Sequence, residues 1–160
     1  MLKQFVDANG YVVNFSYNKN AFGDAWHVLV LCRFGNKWVL TNHAKRGLEF
    51  PGGKREKGET IEKAAEREVF EETGGVTDEF IYLGQYRVDS PEGAFIKSIY
   101  FAELQELKPR DSYMETNGPV LMKSLPHNVK GDARFSFIMK DEILPLSLQA
   151  LQAKWPNYFS

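Results

Sequence analysis

The stretch from Gly53 to Gly75, GKREKGETIEKAAEREVFEETGG, constrains the chain more than any other. It reads as a glycine loop feeding a helix. Gly52, Gly53 and Gly58 allow a sharp turn and a close approach of backbone to a ligand. Thr60 suits an N-cap. Residues 61–73 are rich in the helix formers Glu, Lys, Ala and Arg, and Gly74 supplies the stop. At 100° per residue, Glu68, Glu71 and Glu72 share one face, with Ile61, Ala64 and Ala65 one to two turns earlier. A face that starts apolar and core-directed therefore ends in three carboxylates. Buried without partners, they would repel one another and their pKa values would rise. A divalent cation removes the conflict, and hard oxygen ligands suit Mg²⁺ or Mn²⁺. A solvated Glu-rich helix laced with Lys63 and Arg67 is the plainer reading of these charges.

The whole string decides between the two. Gly53, five residues, Glu59, seven residues, Arg67-Glu68-Val69, one residue, Glu71-Glu72, one residue and Gly74 resemble the box of the Nudix hydrolase superfamily. The chain departs where the family has a bulky aliphatic after the last glycine: here Gly75 stands, with Val76 one place late. Leu48 to Lys54, LEFPGGK, is similar to the segment entering the box in MutT-like nucleoside triphosphatases. RFGNKWVLTNH, YLGQY, ETNGPVL and FSFIMKDEILPLSL extend the resemblance to a YtkD-type branch, over nearly the whole chain. That branch is associated with oxidised guanine nucleotides and RNA 5′ ends.

The flanks are consistent with one domain over residues 1–160, large enough for one core. A net charge of -1 gives no global attraction to nucleic acid, so phosphate binding must be local. Cys32, the single cysteine, excludes an internal disulfide and reads as a small buried hydrophobe. The N-terminus has no signal-like apolar region and no span is long enough to cross a bilayer, so a cytoplasmic protein without membrane attachment is expected.

Strands are expected at 11–17, 27–33, 37–41, 48–50, 80–88, 94–104 and 119–122, with polar loops at 42–47 and 106–117. Leucines 144, 148 and 151 give a C-terminal helix from 144 to 154. The fold class is α+β, and the resemblance implies a mixed β-sheet sandwiched between α-helices (α/β/α).

The resemblance also assigns roles. Glu68 and Glu72 are direct ligands of Mg²⁺ or Mn²⁺, with Glu71 at the metal cluster and the Gly52 carbonyl as a backbone ligand. Arg67 points about 100° away from the carboxylate centre on the helix; it orients Glu68 and pairs with Glu59, while Gly53 and Gly74 give structural support. A fourth ligand or base is sought beyond the box: Glu115, with Glu103 and Glu106 as rivals. Phosphate contacts fall to Lys54, then Lys45, Arg46 or Arg55. Phe50 lines the base pocket. The residue reading the base has no secure match, and Asn128, Lys140 and Asp141 are the candidates. His27, His43 and His127 lack ligand spacing and read as structural or surface residues.

The resulting expectation is a metal-dependent pyrophosphohydrolase of nucleoside triphosphates, with a purine such as dGTP or 8-oxo-dGTP, giving nucleoside monophosphate and pyrophosphate. An RNA 5′-triphosphate end is the second candidate partner. An ADP-ribose hydrolase follows, on Pro91 lying 16 residues after Gly75, and then a non-catalytic nucleotide-binding module, against which the complete set of box carboxylates speaks.

Overall fold

The computed structural model describes residues 2–156. In chain order these form β1 (Leu2–Val6), β2 (Val12–Ser16), β3 (His27–Phe34), β4 (Lys37–His43), β5 (Gly47–Glu49), β6 (Gly52–Lys54), α1 (Ile61–Thr73), β7 (Gly75–Val76), β8 (Ile81–Ser90), β9 (Gly93–Glu103), β10 (Glu106–Leu107), β11 (Thr116–Met122), a 3₁₀ turn (Phe137–Met139) and α2 (Ile143–Lys154). The main sheet runs β1-β2-β8-β9-β3-β4-β11, with β5 on β4 and β6 on β3. The β3–β9 pair is parallel and the other pairs are antiparallel, so the sheet is mixed.

β3 is apolar on both faces because both faces are covered, and alternation sends successive residues to opposite layers. Val28, Val30 and Cys32 meet Ala64, Ala65 and Val69 of α1. Leu29 and Leu31 join Phe15, Tyr86, Ile99 and Phe101 in the second core, which Phe135, Met139, Ile143 and Leu151 close. Small residues on α1 let it lie close to the sheet. Cys32 is fully buried and burial pushes its thiol pKa up, as befits a packing residue.

Both ends of α1 are capped as the sequence dictates. Thr60 accepts from the Lys63 amide at 3.1 Å, and Gly74 takes the left-handed conformation at φ 76°. One strand was not foreseen and two loop expectations change. β1 pairs with β2 although its LKQFV pattern is largely exposed and weakly alternating. The loop at 42–47 shrinks because β4 runs on to His43. Within 106–117, Glu106–Leu107 pairs with Gly75–Val76, so the helix exit is held by a short ribbon.

Candidate active site

The glycines entering the box are not a sharp turn. Gly52 and Gly53 lie in β6, in register with Leu29 and Val28, and neither has a positive φ. They are required by contact. A Cβ on Gly52 would overlap the Val28 carbonyl, and one on Gly53 would sit 2.6 Å from the Glu68 carboxyl carbon. Only glycine lets the helix carboxylates lie directly on the strand. Gly58 does take a positive φ, at 86°. The Gly52 N–H donates to Glu72 Oε1 at 2.9 Å, and Thr41 Oγ1 donates to the Glu72 carbonyl at 3.0 Å.

Arg67 leaves the helix away from the carboxylates, but its guanidinium returns to them; the expected direction holds for the backbone and not for the charge. Nε and Nη2 grip Glu59 at 2.7 and 3.0 Å. Nη1 donates to Glu68 Oε1 at 2.6 Å and reaches Glu71 Oε2 at 3.4 Å. Nη2 also donates to the Lys54 carbonyl at 2.9 Å. This bidentate pairing fixes the fork, and the fork fixes Glu68.

Burial dominates the electrostatics. It pushes Glu72 up to about 8 against the Gly52 hydrogen bond, aided by repulsion from Glu68 and Glu49. Burial likewise pushes Glu68 up to about 6 against the hydrogen bond and charge of Arg67. Adjacent hard-oxygen donors that resist ionisation until a cation arrives fit Mg²⁺ or Mn²⁺ chemically. Among the described residues no three acidic, His or Cys side chains are already gathered at ligand spacing. Arg67 draws Glu68 and Glu71, and the Gly52 amide draws Glu72.

A cavity of about 150 Å³ opens here, lined by Glu72, Gly52, Gly53, Glu49, Arg46 and Lys97, with Phe50 in its wall. A larger one of about 330 Å³ shares Lys97, Phe137 and Ile138 with it and adds His27, Tyr86 and Asp141. Phe137 is exposed at the boundary of the two.

Two lining residues escaped the sequence reading. Glu49 is buried between Leu48 and Phe50 and pairs with Arg46 at 2.9 Å; burial nonetheless raises its pKa. Lys97 sits on β9 between Phe95 and Ile99, and burial lowers its pKa. Its signal was available: a lysine at the core-facing beat of FIKSIYF is out of place.

The remaining candidates separate. Phe50 is 1% exposed and packs edge-on to Trp38, so it is core and cavity wall together. Arg46 is half-exposed but engaged by Glu49, and Lys54 is exposed beside the glycines. Arg55 donates to the Glu59 carbonyl and Asp24 and lies over the Trp26 ring, which makes it structural. Lys45 is exposed, and its amide donates to His43 Nδ1, so His43 is a satisfied buried group. Glu115 is exposed, while its neighbour Thr116 donates to the Glu72 carbonyl at 3.4 Å; the loop reaches the helix end through Thr116 and leaves the Glu115 side chain in solvent. Glu103 ends β9 beside Trp155, and Glu106 lies in β10. Asn128 is not at this site: it accepts from the Gly131 amide and lines a separate cavity with His127. Asp141 does reach the larger cavity, and burial pushes it up to about 6. Lys140 precedes it, partly buried. His27 lines the same cavity.

Residues 21–117 match the NUDIX domain family. The Bacillus subtilis (strain 168) protein YtkD, whose name proposes an 8-oxo-dGTP diphosphatase, is 49% identical over 150 residues, covering 93% of this chain and 95% of YtkD. The crystal structure of the Bacillus subtilis pyrophosphohydrolase BsRppH superposes with a TM-score of 0.93 at 47% identity, covering 96% of this chain and 98% of that one. A NUDIX hydrolase from Nitrosomonas europaea shares the fold at 18% identity, with a TM-score of 0.65 over 82% of this chain and 90% of its own. No helix among the described residues is long and apolar enough to cross a membrane.

Proposed function

The chain belongs to the NUDIX family and is a hydrolase of phosphoanhydride bonds, and from that premise we propose that it cleaves purine nucleoside triphosphates to nucleoside monophosphate and pyrophosphate with Mg²⁺ or Mn²⁺. The observation carrying this reading is the pair of half-buried carboxylates, Glu68 held by Arg67 and Glu72 held by the Gly52 amide, with Glu72 at the wall of a cavity that adjoins a larger one. The names of YtkD and BsRppH support the substrate class and the release of pyrophosphate.

Glu68, Glu71 and Glu72, with the Gly52 carbonyl, would hold the cation. When bound, it supplies charge neutralisation to the phosphate chain and a more acidic attacking water. The chain's own residues do the positioning. The Gly52 N–H turns Glu72 toward the strand, Arg67 keeps Glu68 from swinging to solvent, and Glu59 anchors Arg67. Lys54 and Arg46 take phosphate oxygens near the glycines. Glu115 is retained as the base or a further ligand if its loop closes. Phe137, exposed at the cavity mouth, offers an apolar face to a base.

A triphosphate RNA 5′ end is the second reading. It is favoured by the two adjoining cavities, which leave room beyond the nucleotide being cleaved. A metal titration tests the common core of both. Protein stripped with EDTA should release no pyrophosphate from dGTP, and added Mg²⁺ should restore release. Turnover independent of metal would contradict the proposal.

A further inference from the structure

Lys97 is the one inward-facing lysine that both cavities share. The strand registers explain where it points. Lys54, His27 and Lys97 are direct cross-strand neighbours on β6, β3 and β9, so the three side chains leave one face of the sheet in a row, and Tyr86 continues it on β8. The row does not carry three charges. Burial, then repulsion from Lys97 and Lys54, pushes His27 down to about 4, so its imidazole is neutral at ordinary pH.

Among the described residues, none hydrogen-bonds or ion-pairs with the Lys97 ammonium. Its charge is felt by Glu49 and Asp141, but neither forms an ion pair with it within 4.0 Å, and Glu49 already has Arg46 at 2.9 Å. It stands over the Tyr86 ring, 5.7 Å from the nitrogen to the ring centre. An ammonium withdrawn from water without hydrogen bonds is costly, and a ligand that brings anionic oxygens removes that cost. The smaller cavity brings Glu72 and Lys97 to the same space.

We propose that Lys97 is a substrate-binding residue of this site, whose ammonium at the junction of the two cavities takes phosphate oxygens that the acidic helix face does not hold. The proposal rests on the phosphoanhydride hydrolase reading of the site. It separates two duties. The helix carboxylates serve the reacting phosphorus through a cation, and Lys97 holds the chain so that a base on the far side of the junction enters the larger cavity. A diphosphate or monophosphate, with fewer oxygens to span both, is then a poorer ligand.

The test is calorimetric titration of sodium tripolyphosphate, which has no base, into the Glu72→Gln protein in Mg²⁺, with and without Lys97→Met. A charge-assisted hydrogen bond predicts a Kd raised roughly 10- to 100-fold by Lys97→Met, and Lys97→Arg should recover most of the loss. Melting is followed in parallel. If Lys97 serves only to balance Glu49 and Asp141, the melting temperature moves and the Kd does not, which overturns the assignment; should Lys97→Met not fold, Lys97→Gln decides by the same criterion. Wild-type turnover distinguishes the two levels. An active enzyme whose tripolyphosphate affinity ignores Lys97 sinks this inference alone, whereas an inactive one sinks the hydrolase reading.

Discussion

The acidic end of α1 and the larger cavity beside it are built in opposite ways. At the helix, charges are matched at short range: Arg67 grips Glu59 bidentately, touches Glu68 and Glu71, and the Gly52 amide holds Glu72. In the cavity, Lys97, Asp141 and His27 come from separate elements, and no ion pair joins them. One region is wired before substrate arrives; the other is left for substrate to complete. The difference suggests where binding energy is spent. Preorganised groups act on the reacting centre, while unpartnered groups gain from the ligand itself.

Breaking the wired region should cost most. Glu72→Gln removes a carboxylate at the cation site and should lower kcat at least ~100-fold, measured by pyrophosphate release in saturating Mg²⁺. Arg67→Gln frees Glu68 and leaves Glu59 with only the Glu56 amide. A loss of roughly 30-fold in kcat with little change in KM is expected, since positioning and not ground-state binding is damaged; a pure KM effect would place Arg67 on the substrate instead. Gly53→Ala puts a methyl against the Glu68 carboxylate and should cost about 10-fold in kcat while the protein still folds.

Burial of these carboxylates has a cost in stability without metal. Burial raises Glu72 from 4.5 to about 8, so the unfolded chain ionises first as pH climbs. Stability from this group is therefore full below about 4.5, falls across the window up to about 8, and is flat above it. Allowing for partial exposure, metal-free protein should lose about 2 kcal/mol across that range by denaturant melts, and Glu72→Gln should flatten the slope. The smallest effect belongs to the open region. Phe137→Ala should raise KM about 5-fold, with kcat nearly unchanged, if its exposed ring stacks on a base.

The contrast also explains what the sequence revealed. α1 was legible to its caps because everything that fixes it is local: Thr60, the helix formers and Gly74. The Arg67–Glu59 pair was foreseen too, as a role implied by the resemblance to the family's box. Gly58 is the turn glycine expected, but Gly52 and Gly53 were read for the wrong reason, since their need is the closeness of Val28 and Glu68, which only the tertiary fold reveals. Asn128 failed as a base reader because a local turn bond holds it on another surface. The larger cavity draws on the β1–β2 turn, β3, β8, β9 and the 3₁₀ turn, and no local pattern joins Asp7 to Asp141. Asp141 was among the candidates for reading the base, and Lys97 left a trace as a charge on a core-facing beat.

The most direct measurement is a turnover screen in Mg²⁺ and Mn²⁺ with pyrophosphate and phosphate detected separately, comparing dGTP, 8-oxo-dGTP, other nucleoside triphosphates, ADP-ribose and a 5′-triphosphate RNA. Metal-dependent release of pyrophosphate, led by guanine nucleotides, is the predicted result. Release of phosphate alone, or turnover led by ADP-ribose, would contradict the account of a site that holds a triphosphate between the box carboxylates and Lys97.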